Sequence, residues 1–188
     1  PGRGGVGIVR LSGAGLASLI EQLTGKPQSA SFAQPRVATL THFVDDAGQV
    51  LDEGLLIYFA GPHSFTGEDI IEISCHGSIY IQQNILQLLI SKGASLAQPG
   101  EFTQRAFLNG KMDLSQAESV ADLIASSSAA THRLAMNQMR GGFSNKLIEL
   151  RTELLNFTSL IELELDFSEE DVEFANRDHL KEAAHQIE

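Results

Sequence analysis

Asp69-Ile70-Ile71-Glu72-Ile73-Ser74-Cys75, continuing through His76-Gly77 into the run that ends at Ser91, decides the fold. In its first half the apolar Ile71 and Ile73 alternate with the polar Glu72 and Ser74, the period of a half-buried strand. In its second half Ile79, Ile81, Ile85, Leu88 and Leu89 recur at helical spacing. A strand feeding directly into an amphipathic helix predicts an α+β domain. Working outward, Val6 to Leu11 reads as a strand, and Ser12 as the N-cap of a helix carrying Leu16, Leu19, Ile20 and Leu23. Arg36–Val44 and Leu55–Ala60 read as strands, and Asp45-Asp46-Ala47-Gly48 between them is a turn signal, so the pair predicts a hairpin. The expectation for residues 1–112 is a small mixed or antiparallel sheet flanked by helices.

Beyond Lys111 the pattern is helical throughout. Ser115 with Glu118 three residues on reads as a capping box, opening a helix with Val120, Leu123 and Ile124. Met136, Met139, Phe143, Leu147, Leu150, Leu154, Phe157 and Ile161 follow at heptad-like spacing, which predicts one long helix packing along its length. Gly141-Gly142 inside that run marks a weak point or bend, each glycine costing ~1 kcal/mol relative to alanine. The acidic stretch Glu162–Glu173 is expected to break the pattern before a last helix from about Asn176. These changes of character put a domain boundary near residues 111–114. No internal repeat is visible.

The 188 residues suffice for one large domain or two small ones. Composition is ordinary for a soluble protein, 43% hydrophobic and 20% charged, and no apolar stretch approaches the ~20 residues of a membrane span. No signal peptide is seen. The single cysteine, Cys75, excludes an internal disulfide and fits a reducing cytoplasm. The chain opens at Pro1 and stops at Glu188 inside a charged, helix-like pattern, so both ends read as cuts in a longer parent.

The net charge of −11 is uneven. Residues 1–112 hold seven Lys/Arg against nine Asp/Glu, and residues 113–188 hold six against fifteen. Nucleic-acid affinity rests on clustered basic side chains, and neither half has such a cluster. This chain is therefore a poor candidate for the principal RNA-gripping surface of its parent.

The glycine-rich opening, Pro1-Gly2-Arg3-Gly4-Gly5-Val6-Gly7, invites a phosphate-loop reading. Gly25-Lys26 and Gly110-Lys111, however, each lack the glycine five positions earlier and the hydroxyl residue after the lysine. No nucleotide-triphosphatase site is read in this chain. The glycines serve close backbone approach, either to other backbone or to a planar ligand. Cys75-His76 does not make a nucleophile-and-base dyad, because neighbours on a strand point to opposite faces. Cys75 reads as a buried small apolar group, and His76, before Gly77 at the strand-to-helix junction, as either structural or ligand-touching. The acidic run from Glu162 lacks the spacing of a calcium loop and reads as a solvated helix end, so no metal site is expected.

Two segments pack Gly or Pro, a carboxylate and an aromatic beside an apolar run. They are Gly61-Pro62-His63-Ser64-Phe65-Thr66-Gly67-Glu68-Asp69 and Pro99-Gly100-Glu101-Phe102-Thr103-Gln104-Arg105-Ala106-Phe107-Leu108-Asn109-Gly110-Lys111. Both read as loops of the kind that carries binding or chemistry. With the opening Pro1–Arg10 and the following Asp113-Leu114-Ser115-Gln116-Ala117-Glu118, they appear in the order found in the bacterial tRNA-modification GTPases called MnmE or TrmE. The chain closely resembles the N-terminal region of that family over nearly its whole length.

The resemblance implies that residues 1–112 form a tetrahydrofolate-binding and dimerisation domain, similar in fold to folate-dependent aminomethyltransferases. Residues 113–188 would then be the first part of a central helical domain, with the GTPase domain outside this chain. It carries the family's folate-contacting arginine, glutamate and lysine onto Arg10, Glu72 and Lys111. A carboxylate such as Glu72 can accept paired N–H groups of a pterin, while Arg and Lys suit the glutamyl carboxylates of folate. The bound form would be a 5-formyl or 5,10-methylene tetrahydrofolate.

In the parent, GTP, Mg2+ and K+ would be handled by other residues, and no catalytic residue is assigned to this chain. The resemblance further implies a homodimer and action with a flavin-containing partner, MnmG or GidA. Together they would modify carbon 5 of the wobble uridine of tRNA, in the cytoplasm and without a membrane. The alternative is a dimerisation scaffold that has lost folate binding. A small-molecule or protein aminomethyltransferase is a second alternative, disfavoured because the chain turns all-helical after Asp113.

Overall fold

A computed structural model describes residues 4–26 and 34–166. It divides the chain into two compact units, Pro1–Met112 and Asp113–Glu188. In the first unit β1 (Val6–Ser12), α1 (Leu16–Thr24), β2 (Thr39–Val44), β3 (Val50–Phe59), β4 (Ile70–His76), α2 (Ile79–Ser91) and α3 (Glu101–Leu108) follow one another. In the second come α4 (Leu114–Ala125), α5 (Ala129–Met139) and α6 (Gly142–Asp166). The class is α+β.

The four described strands form an antiparallel sheet in the order β1-β4-β3-β2. Alternation in β4 works as its sequence requires: Ile71, Ile73 and Cys75 are buried, and the residues between them face the other side. α1 buries Leu16, Ile20 and Leu23, and α2 buries Ile85, Leu88 and Leu89. With Val9, Leu11, Phe43 and Leu56 these residues form one core on one face of the sheet. Gly54 lets β3 approach β4 closely, since a Cβ there would stand 2.0 Å from the Ser74 carbonyl oxygen. The opposite face is open: Val6, Ile8, Leu40 and Leu55 are between 41 and 68% exposed.

Several local expectations are corrected. Ser12 is the last residue of β1 and caps nothing; α1 opens at Gly15, which has φ 74°. The hairpin is displaced, since β2 starts at Thr39 rather than Arg36 and β3 starts at Val50 rather than Leu55. Its turn stands: Asp45 Oδ1 accepts from the backbone N–H of Ala47 and Gln49, at 2.9 and 2.8 Å.

In the second unit the capping box belongs to Asp113 and Gln116, not to Ser115 and Glu118. Asp113 Oδ1 accepts from the Gln116 N–H and Gln116 Oε1 from the Asp113 N–H, both at 2.9 Å. Asp113 stands just before the first helical residue, where a cap must be, whereas Ser115 is already inside the turn. A second box, Ser128 with Thr131, opens α5.

The single long helix is in fact two. Gly141, at φ 82°, adopts a left-handed conformation that closes α5, and α6 restarts at Gly142. Phe143, Leu147, Leu150 and Leu154 on α6 are 47 to 55% exposed, so the heptad-like stripe is not a buried seam. α6 runs into the acidic stretch as far as Asp166, and the rest of that stretch lies outside the described residues. The helix expected from Asn176 lies outside the described residues.

Candidate functional site

The antiparallel register sets Arg10 of β1 directly opposite Glu72 of β4. Arg10 donates from Nε to Glu72 Oε1 at 2.8 Å, and its Nη2 bonds the same oxygen. Both hydrogen bonds fall on one carboxylate oxygen, and among the described residues Oε2 of Glu72 has none. The ring of Phe102 covers the guanidinium, its centroid 5.8 Å from Cζ, within cation–π range.

Phe102 comes from the second of the two segments read as loops, and most of that segment is helix. Gly100, at φ 81°, turns the chain into α3, and Glu101 in the first turn accepts from the Gln98 N–H at 2.8 Å. That backbone bond, with the bond from Arg105, holds the Glu101 carboxyl below the usual glutamate range. Arg105 joins Glu101 at 2.7 Å and Glu68 at 3.1 Å, and these two acceptors raise its own pKa.

Glu68 belongs to the first segment, which is a cross-braced loop containing a cis Gly61–Pro62 peptide. Ser12 Oγ donates to Glu68 Oε2 at 2.7 Å, and the Thr66 hydroxyl meets Ser12 Oγ at 2.6 Å. Asn109 Nδ2 donates to the Thr66 carbonyl at 2.7 Å. The two segments are thus joined to the end of β1 at Ser12, which the sequence offered as a cap, and to each other by side chains whose roles the sequence reading did not assign: Thr66, Glu68, Phe102, Arg105 and Asn109. The only signal for them was their place in two unusual segments.

A cleft of about 380 Å³ lies beside the edge strand β1. Arg10, Ser12, Phe102 and Arg105 supply its polar and aromatic wall, and Leu19, Leu86 and Leu96 contribute an apolar one. That volume and lining suit a small organic ligand with a flat body and a few polar groups. Of the three residues carried over by resemblance, Arg10 lines the cleft and Glu72 grips Arg10 without lining it. Lys111 is bonded to neither; its Nζ donates to the Pro62 carbonyl at 2.9 Å and its aliphatic stem lies against Gly67.

Cys75 is buried, and burial pushes its thiol pKa up. His76 is bound to Asp52 instead: its backbone N–H meets Asp52 Oδ2 at 2.8 Å and its Nδ1 meets Oδ1 at 2.7 Å. Burial works against the Asp52 charge, but the two His76 hydrogen bonds prevail and hold its carboxyl below the usual range. The pair clamps the end of β4 and does not line the cleft. Among the described residues no cluster of three His, Cys, Asp or Glu side chains could hold a metal ion, and no helix is long and apolar enough to cross a membrane.

Two family descriptions match the chain end to end. "GTP-binding protein TrmE N-terminus" matches residues 1–111 and "MnmE helical domain" matches residues 114–188. The chain belongs to the MnmE/TrmE family. It is 58% identical over 187 residues to the tRNA modification GTPase MnmE of Bacteroides thetaiotaomicron, covering 98% of this chain and 40% of that protein. It is 56% identical over 193 residues to the MnmE of Parabacteroides distasonis, covering 100% of this chain and 42% of the relative. The MnmE of Flavobacterium johnsoniae is likewise 56% identical, over 189 residues and 40% of its length. The chain thus spans about two fifths of the length of the MnmE proteins it matches.

Proposed function

We propose that this chain is the folate-binding and dimerisation portion of a tRNA-modifying GTPase, with Arg10, Glu72 and Lys111 as its folate residues. The parent acts with a flavin-containing partner on carbon 5 of the wobble uridine, and GTP with its metal ions is handled by residues outside this chain. The observation that carries the reading is the Arg10–Glu72 ion pair. Two residues picked by motif alone, 62 positions apart, meet at a cleft of small-molecule size under an aromatic ring.

The donor set fits a reduced folate. Arg10 offers a cation for a carboxylate, Glu72 beside the cleft keeps one carboxylate oxygen for an N–H group, and the leucine wall suits the aromatic middle of the ligand. Lys111 acts through the loop it braces at Pro62 and offers its charge to the glutamyl tail. Bound tetrahydrofolate would supply a one-carbon unit. The chain's own residues bind it, orient it and shield one side of it from water.

The scaffold reading has one observation in its favour. The open sheet face exposes Val6, Ile8, Leu40 and Leu55 together, a surface suited to self-association whether or not folate binds. A calorimetric titration of the chain with 5-formyl-tetrahydrofolate separates the two. Saturable binding that is lost in Glu72→Ala is the expected result. A folded, dimeric chain that takes up no folate would leave the scaffold reading in place.

A further inference from the structure

Among the described residues β1 is an edge strand whose single partner is β4. Two bonds fix which way its backbone faces. The Gly13 N–H donates to the Asp69 carbonyl at 3.0 Å, and the Gly77 N–H donates to the Gly5 carbonyl at 3.1 Å. Both lie in the register that pairs Val6 with His76 and Ser12 with Ile70. In an antiparallel ladder each residue turns its N–H and C=O to the same side, and the side alternates from residue to residue. Gly5, Gly7, Val9, Leu11 and Gly13 therefore face β4, while Ile8, Arg10 and Ser12 turn their N–H and C=O groups away from the sheet. Among the described residues no hydrogen bond takes up these outward backbone groups.

An unpaired edge is normally blunted by charge, covered by a loop, or hydrated. Here it borders the cleft: Ile8, Arg10 and Ser12 all line it, and the segment around Gly93–Ala97 forms part of its boundary. A row of donors and acceptors at fixed spacing, beside an apolar wall, is built to take a flat partner edge-on.

We propose that the free edge of β1 is a backbone recognition element of this cleft, pairing with neighbouring in-plane N–H and C=O groups of the ligand. This rests on the folate reading above. A reduced folate carries such a pair in the lactam edge of its pterin, whereas the trans amide joining its aminobenzoyl ring to glutamate turns N–H and C=O to opposite sides and offers the edge one of them at a time. Recognition by main chain does not depend on the side chain at position 8, which distinguishes it from the contacts of Arg10 and Glu72.

Proline is tolerated on an edge strand where the lost N–H faces outward. Ile8→Pro therefore deletes one outward donor and keeps every bond to β4, while Ile8→Ala trims the side chain and keeps the donor. In titrations of the 188-residue chain with 5-formyl-tetrahydrofolate, Ile8→Ala is expected to bind within about threefold of the parent sequence, and Ile8→Pro about tenfold more weakly. A second readout needs no substitution. By NMR the amide protons of Ile8, Arg10 and Ser12 should exchange with solvent quickly in the free chain, and saturation with ligand should slow at least one by about tenfold.

The isolated reduced pterin and p-aminobenzoyl-glutamate, titrated separately, show which group makes the pairing. Folate binding by the unsubstituted chain with no slowing of the outward amides overturns the inference and leaves the folate reading standing. Absence of folate binding by the unsubstituted chain overturns the folate reading itself and the inference with it. If Ile8→Pro and the exchange data disagree, the exchange data decide, because they report on the unaltered strand.

Discussion

In residues 1–112 side-chain bonds join segments far apart in sequence: Arg10 to Glu72, Ser12 to Glu68, Asn109 to Thr66. In residues 113–166 the side-chain bonds are mainly local, as in the capping boxes of Asp113 with Gln116 and Ser128 with Thr131. Longer ones, such as Ser144 to Asp113 and Gln138 to Ser115, tie neighbouring helices at their ends. The apolar residues divide in the same way. Phe43, Leu56, Ile71 and Ile73 are at most 1% exposed, whereas Phe143, Leu147, Ile148 and Leu150 are 47 to 62% exposed. The first unit is held by what its strands bring together from a distance, and the helices of the second by signals within a turn or two of their own ends.

Substitutions of matched chemistry test that contrast. Leu56→Ala, in the core, should cost about 3 kcal/mol in urea unfolding followed by circular dichroism. Leu150→Ala, on the exposed face of α6, should shift the same measurement by less than about 0.5 kcal/mol. Equal losses would break the comparison. Asp113→Ala should cost about 1 kcal/mol through loss of the cap, read as an earlier helical melt.

The same residue gives a pH test. Hydrogen bonds from Ser144 and from the Gln116 N–H hold the Asp113 carboxyl below its ordinary 3.8. Its stabilisation is therefore complete above that value and is lost as the pH falls through the lower folded one. Thermal melts against pH should show this acid loss in the parent chain and a smaller one in Asp113→Ala. The last test concerns the site. Phe102→Leu removes a cation–π contact of about 0.5–1 kcal/mol, which should weaken folate binding about threefold, with Phe102→Tyr restoring it. An unchanged affinity would mean that Phe102 only fills space.

The elements that the sequence disclosed were those with a strong period of their own. The alternation of Ile71, Ile73 and Cys75 gave β4, and the spacing of Ile85, Leu88 and Leu89 gave α2. What it misplaced depended on partners elsewhere. Ser12 looks like a cap because serine before an apolar run often is one, but its hydroxyl is taken by Glu68, 56 residues away. The stretch from Pro99 looks like a loop because Pro, Gly and polar residues crowd it, yet Gly100 merely turns the chain into α3. The run from Met136 to Ile161 looks continuous because hydrophobic spacing does not register a left-handed glycine at position 141. In the site, Arg10, Glu72 and Lys111 came from resemblance. That Arg10 meets Glu72 follows from a strand register that no local pattern encodes. Phe102 and Arg105 needed the position of α3 to acquire a role.

Thr66 is fully buried, and two distant segments and its own loop use it at once. Its hydroxyl meets Ser12 and accepts the Glu68 N–H, and its carbonyl accepts Asn109. Changing Ser12 or Asn109 alone takes a partner from this buried residue, and changing Thr66 takes one from Ser12 and from Asn109. Across related sequences they are expected to vary as a set or not at all. A pairwise covariation signal linking positions 12, 66, 68 and 109 would be the evolutionary trace of that one buried threonine.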